Sequence, residues 1–318
     1  MQKLENLSWK PMWVSHLGCI QGCLQFLGLD VSDAWLFGGT GHAFVINMHQ
    51  VVCPSGPTAW NYEKLFKLGR NLGYVTEGVV GPKSEPDFGE KQKLAWEHVQ
   101  QAIDRGLPCF GWELDIPEFY VVYGYDHEGY YFSGPDCDEG KGPKPWHELG
   151  ETEIGFLEMY SVDWGTPADD ATTVKEALAF ALEHADNPPR WIFPDFKAGL
   201  AGYDNWITAL RDDKADGFSM AYNAAVWNEC RGYAVPFLKE AKARLDGQSG
   251  AVFDEAIGHY TVVAQNLQTV ADTYPFHGLE PEHIKDPGRQ KVALASLKAA
   301  RDAEASGLEA LSRLVSHL

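Results

Sequence analysis

Four groups of residues in this 318-residue sequence have the types and spacing for chemistry. The first is Cys19, which follows His16 and Gly18 and opens an apolar pattern of helical period through Cys23, Phe26 and Leu27. A thiol at a helix N-terminus meets unpaired N–H groups and the positive end of the helix dipole, which favour its thiolate and make it a nucleophile. The same residues suit a close-packed helix face, since unpaired cysteine is often buried and Gly18 and Gly22 let another segment approach. The second group is His42, reached through Phe37-Gly38-Gly39-Thr40-Gly41. Such a histidine moves a proton if Asn47 or a carboxylate orients it, or is a core residue with a hydrogen-bond partner.

The third group is the carboxylates Glu113, Asp115 and Glu118. Strand alternation places Glu113 on one face with Cys109 and Gly111. At a strand edge these acids are solvated charges, whereas in an apolar pocket they become proton donors and acceptors. The fourth is Asn223, Trp227 and Arg231, which recur every four residues and line one helix face. Arginine on a core-like face requires a carboxylate, supplied by an internal acid, an inter-domain pair or an anionic ligand. The internal or inter-domain pair is the favoured reading.

The elements that must position these groups fall into two textures. Up to about residue 165 the chain is rich in glycine, proline and aromatics. Helices are expected over 19–27, 62–72 and 91–104, a buried strand over 42–48, and strands over 108–114, 119–125 and 129–133. Asp126-His127-Glu128-Gly129 is a hairpin turn. Beyond Pro167 the sequence is helical, with helices expected over 173–184, 200–211, 216–245, 252–274 and 289–317, the third kinked or broken at Pro236. The expected fold class is therefore α+β over 1–165, followed by an all-α domain over 166–318 packing on it.

Composition narrows the partners. Lys and Arg number 26 against 45 Asp and Glu, a net charge of −19. That surface repels phosphate backbones and anionic lipid, so no nucleic acid and no membrane is expected as partner. No run approaches the roughly 18 apolar residues of a spanning helix, and the first residues lack the apolar core of a secretory signal, which suggests a cytoplasmic protein. Six scattered cysteines neither form a disulfide scaffold nor, with a histidine knuckle, complete a zinc site, so reduced thiols and no metal are expected. The 37–41 glycine loop lacks the Gly-Lys-Ser/Thr ending of a phosphate cradle, and no cofactor is implied.

A family resemblance rests on several segments together. A helix ends in Leu27-Gly28. Ala102-Ile103-Asp104-Arg105-Gly106-Leu107-Pro108 follows, then Tyr120-Val121-Val122-Tyr123-Gly124-Tyr125-Asp126 and Tyr130-Tyr131-Phe132-Ser133-Gly134-Pro135-Asp136. Residues 12–150 resemble the papain-like fold of the bacterial bacteriocin-processing cysteine peptidases and of the N-terminal domain of butirosin biosynthesis protein H, and a helical region after such a domain is also similar to the latter. The resemblance implies a nucleophilic cysteine on the first helix, a histidine opening a strand into a V-x-G-Y-D segment, and an orienting aspartate in a D-P turn. Counting from Gly28 and Gly124, those positions hold Ser15 and Glu118 here, and the D-P turn is reversed as Pro135-Asp136. A carboxylate is too weak a base to activate a hydroxyl near neutral pH.

Three functions follow as expectations. The first is a degenerate papain-like protein that binds a small molecule or peptide in the family cleft through Ser15, His16, Thr40, Glu113, Trp227 and Arg231. The second is a thiol-dependent acyltransferase or amidohydrolase using Cys19 and His42, with Glu118 in support. The third is a structural or scaffolding protein. A homodimer is compatible with each. A buried Cys19 favours binding, and a Cys19 beside an imidazole at a cleft favours the enzyme.

Overall fold

A computed structural model describes residues 1–245 and 249–318. In chain order the first elements are β1 (Gln2–Lys3), α1 (Ser15–Phe26), α2 (Asp33–Gly39), β2 (Asn47–His49), α3 (Glu63–Gly69), β3 (Tyr74–Pro82) and α4 (Phe88–Asp104). Strands β4 (Cys109–Trp112), β5 (Phe119–Tyr125), β6 (Gly129–Ser133), β7 (Lys141–Pro145) and β8 (Phe156–Trp164) follow. The remainder is α5 (Asp170–Ala185), β9 (Phe196–Ala198), α6 (Gly199–Arg211), α7 (Gly217–Arg244), α8 (Gly250–Thr273) and α9 (Pro287–His317). The chain divides into two compact units: a sheet unit of residues 1–32 and 72–167, and a helical unit of residues 33–71 and 168–318. Segment 33–71, read above with the α+β part, is in the helical unit.

In the sheet unit, one antiparallel sheet runs in the order β3-β8-β4-β5-β6-β7, with β1 added to the end of β5. Strands β5 and β6 occupy the residues expected, joined by the Asp126–Gly129 turn. The first expected strand is shorter, because Glu113 turns to φ 55° and leaves the sheet after Trp112. Strands β3, β7 and β8 were not anticipated. In β8, which lies between β3 and β4, Glu158 is buried and accepts a hydrogen bond from Tyr160 Oη at 2.6 Å. Helix α4 buries Phe88, Gln92, Ala95, Val99, Ala102 and Ile103 at three- and four-residue spacing, and stops where Gly106 takes φ 79°.

Helix α1 starts a full turn before Cys19. Gly18 and Gly22 bring segment 8–10 against it: a Cβ at Gly18 would stand 2.3 Å from the Lys10 carbonyl oxygen, and one at Gly22 2.0 Å from that of Ser8. The small-residue reading of this helix face is the one observed.

In the helical unit, α2 packs on α7 so closely that a Cβ at Gly38 would overlap the Phe237 ring. Helix α7 runs unbroken through Pro236. Proline there cannot donate to the carbonyl of Gly232, and both residues are exposed, so that carbonyl stands at the solvent side of the helix. The strand expected over 42–48 is instead a 3-10 turn, His42–Phe44, entered through Gly41 at φ 78°, and only Asn47–His49 pairs, with β9. The carbonyls of Ala43 and Val45 accept from Arg231 rather than from a neighbouring strand. No helix among the described residues is long and apolar enough to cross a membrane.

Candidate functional site

Ser15 is the first residue of α1, where the helix leaves N–H groups unpaired. Its Oγ donates to Glu118 Oε2 at 2.5 Å and accepts from the Phe119 N–H at 3.1 Å. The hydroxyl thus ties the helix start to the first residue of β5 and to the acid before it. Glu118 is half-buried, at the mouth of the loop joining β4 to β5. That loop is closed by Glu113 N–H donating to the Glu118 carbonyl at 2.8 Å, and by Ile116 N–H donating to Tyr120 Oη at 3.1 Å. Glu113 Oε2 accepts from Thr152 Oγ1 at 2.7 Å.

The start of β7 and the loop before it belong to the same end of the sheet, because Lys141 Nζ, on the first residue of β7, binds Asp115 Oδ2 at 2.7 Å. Trp9 Nε1 donates to Asp138 Oδ1 at 2.9 Å and fixes the loop from the other side. Both loops contain a non-glycine residue in left-handed backbone, Glu113 at φ 55° and Asp136 at φ 61°. Residues held this way cost of order 1–3 kcal/mol each and cluster at functional sites. Burial lowers the Lys144 pKa, opposed by Glu148, Glu113 and Asp115. The candidate site is therefore the start of α1 with the 113–118 and 134–141 segments, an array of carboxylates with Lys141 and the Ser15 hydroxyl, and Lys144 further along β7.

His16 lies behind this array, 6 % exposed, with its ring 5.2 Å from Phe119 and 5.7 Å from Phe110. Burial holds its pKa down to about 3, so the ring is neutral at ordinary pH. Cys19 departs from the nucleophile expected of it. In the second turn of α1 it lies beyond the unpaired N–H groups, its side chain is wholly buried, and burial, then Cys23 and then Glu118 push its thiol pKa well up. A protonated, inaccessible thiol is unreactive. Cys19 belongs to the sheet unit and His42 to the helical unit.

The helical unit brings Thr40, His42, Trp227 and Arg231 into one core, but as internal supports. Thr40 Oγ1 caps the Leu36 carbonyl at 2.8 Å, and His42 meets Phe37 and Trp60 at ring distances of 6.2 and 6.0 Å. Trp227 Nε1 donates to Asn223 Oδ1 at 3.1 Å, whose own amide holds the Cys53 carbonyl. Arg231 makes a bidentate pair with Glu304, Nε at 2.9 Å and Nη2 at 3.0 Å, while Nη1 donates to the carbonyls of Ala43 and Val45. Tyr203 and Tyr260 hydroxyls donate to the same carboxylate. Thr40, Trp227 and Arg231 are thus core residues rather than ligand groups, because their polar atoms are engaged inside the fold. The need of Arg231 for a carboxylate was readable; that Glu304 supplies it was not.

Residues absent from the sequence-based set include Thr152, Lys141, Asp136 and Glu304. Only Pro135-Asp136 had a prior signal, through the reversed turn. Among the described residues no group of three or more His, Cys, Asp or Glu is arranged to hold a metal ion. All six cysteines are free thiols. The chain matches no protein-family model and no curated protein.

Proposed function

We propose that this protein is a degenerate member of the papain-like fold group that binds a small molecule or peptide at the α1 end of the sheet, without a thiol–imidazole pair. The observation that carries the reading is the Ser15–Glu118 hydrogen bond. The resemblance implies a nucleophile and a base at these two positions, and here a hydroxyl and a carboxylate are tied to each other and to the Phe119 amide. Such a pair supplies no strong nucleophile near neutral pH. The two strained loops beside it keep the character of a site, with carboxylates and lysines that suit an amine- or carboxylate-bearing ligand.

A thermal-shift screen of amino acids, amines and short peptides, followed by hydrogen-exchange footprinting of any hit, tests this. The expected result is protection confined to 113–118 and 134–141, with binding weakened by Asp136→Gly. Glycine accepts the φ of that position, so the substitution removes the carboxylate without new strain. Hydrolysis or acyl transfer that disappears in Cys19→Ala would return the protein to the thiol enzymes. Protection elsewhere would remove the site.

A further inference from the structure

The two edges of the sheet differ in how they are protected. Strand β7 contains Pro143 and Pro145, carries Lys141 and Lys144, and pairs with β6 through a register shift. Prolines, lysines and bulges are the usual means of keeping an edge from pairing with another chain. Strand β3 has none of these along 74–81. It is nine residues long, pairs with β8 in unbroken register, and carries a single charge, Glu77. Glu77, Gly78 and Val80 at its middle are exposed.

The parity of its hydrogen bonds is fixed. In the β3–β8 register, Lys83 N–H donates to the Gly155 carbonyl at one end and Gly165 N–H to the Gly73 carbonyl at the other. Antiparallel hydrogen-bonded pairs recur every second residue, so the odd-numbered residues of β3 bond to β8. Thr76, Gly78 and Val80 therefore direct both N–H and C=O away from the sheet. Pro82, with no N–H, ends the row.

We propose that β3 pairs antiparallel with β3 of a second copy of this chain, about a twofold axis at Gly78, to give a homodimer with a continuous sheet. The row is its own complement in this register: Thr76 lies opposite Val80 of the second copy, Gly78 opposite Gly78, and Val80 opposite Thr76, all in hydrogen-bonded pairs. Glu77 lies opposite Val79 in a non-hydrogen-bonded pair, where side chains approach most closely. Charge also fits. The Lys91 side chain lies over Gly81, with its Cδ 2.5 Å from where a Cβ would stand. Gly81 of one copy is diagonal to Glu77 of the other, so the ammonium, which also pairs with Glu85, faces an opposite charge across the junction. A second copy is favoured over a foreign strand because an edge with one charge offers no code for another sequence, whereas the twofold match uses every open group from Thr76 to Val80.

The test is sedimentation equilibrium of the full chain with two single substitutions that differ only in sign. Val79→Glu puts an acid opposite Glu77 at both symmetric positions and should weaken the dimer by about tenfold, while Val79→Lys puts a cation there and should tighten it by about as much. The double exchange Glu77→Lys with Val79→Glu should restore the dimer. Circular dichroism shows whether each variant folds. In the unaltered chain, the amide protons of Thr76, Gly78 and Val80 should exchange more slowly as concentration rises, a readout that needs no variant. A wild-type chain that stays monomeric overturns the proposal. So does a dimer whose dissociation constant moves in the same direction in Val79→Glu and Val79→Lys, or is indifferent to both.

Discussion

Each unit holds a carboxylate near its centre of interest, and the two are held differently. Glu304 in the helical unit is 1 % exposed and meets a bidentate guanidinium and two tyrosine hydroxyls, while Nη1 of the same arginine donates to the carbonyls of Ala43 and Val45. Glu118 in the sheet unit is half-buried and accepts from the Ser15 hydroxyl, at the rim of two strained loops. The first arrangement leaves no valence for a ligand and is a structural pin. The second lies where solvent reaches the carboxylate, beside two loops in left-handed backbone, which is where binding is expected. Depth of burial, more than residue type, separates a core ion pair from a candidate site.

The contrast can be broken first at the pin. Glu304→Ala leaves the Arg231 charge buried and unpaired and should cost about 3–5 kcal/mol in chemical denaturation, whereas Arg231→Met with Glu304→Leu should recover most of that loss. If the single and double variants are equally unstable, the pair is not the cause.

A second probe is pH. Burial lowers the pKa of His16 in the sheet unit and, with Arg231 adding to burial, of His184 in the helical unit, each to about 3. The unfolded chain protonates these rings near 6.5 and the folded chain does not, so stability is intact above that pH and falls as pH drops toward 3. Each ring should contribute up to about 1.4 kcal/mol per pH unit in that window. His184→Leu should flatten the profile of the helical unit alone, measured by denaturation between about pH 7 and 4. An unchanged slope would place the acid sensitivity elsewhere.

The smallest expected effect is at the rim. Ser15→Ala removes one hydroxyl from the Glu118 carboxylate and the Phe119 amide and should cost about 1–2 kcal/mol, seen as faster exchange of the Phe119 amide proton. A loss as large as that of Glu304→Ala would make Ser15–Glu118 a second pin rather than part of a site.

Most helices were legible, α4 through its apolar period and α5 through α9 through long Ala-, Leu- and Glu-rich runs, and all six begin and end within a few residues of expectation. Strands β5 and β6 were legible through dense aromatics and a glycine turn. Strand β3 was hidden by two glycines and a proline. Gly78 is required by packing, since a Cβ there would lie 2.4 Å from the Tyr160 ring. Strand β8 was hidden by Glu158 and Asp163, acids that break the alternation although one is buried against a tyrosine. Run 42–48 has strand composition, but an arginine 188 residues from Ala43 claims its carbonyls, and no local pattern contains that. In the candidate site, Ser15 emerged only through the family resemblance, whereas Glu118 stood out first as one of three carboxylates between two strands. The left-handed backbone at Glu113 and Asp136 has no sequence signature, because both residues are ordinary elsewhere.

The bond from Arg231 to Ala43 and Val45 has a consequence in time. Segment 33–71 leaves the ribosome early, yet its arginine is made 188 residues after Ala43, and Glu304 a further 73 after that. At roughly 5–20 residues per second, Trp35, Phe37 and Phe44 wait some tens of seconds for the helices that cover them. The sheet unit is complete once Pro167 has emerged, with 33–71 hanging from it as a loop. During synthesis this loop is the stretch left exposed longest, and its aromatic residues are covered only when α7 and α8 arrive.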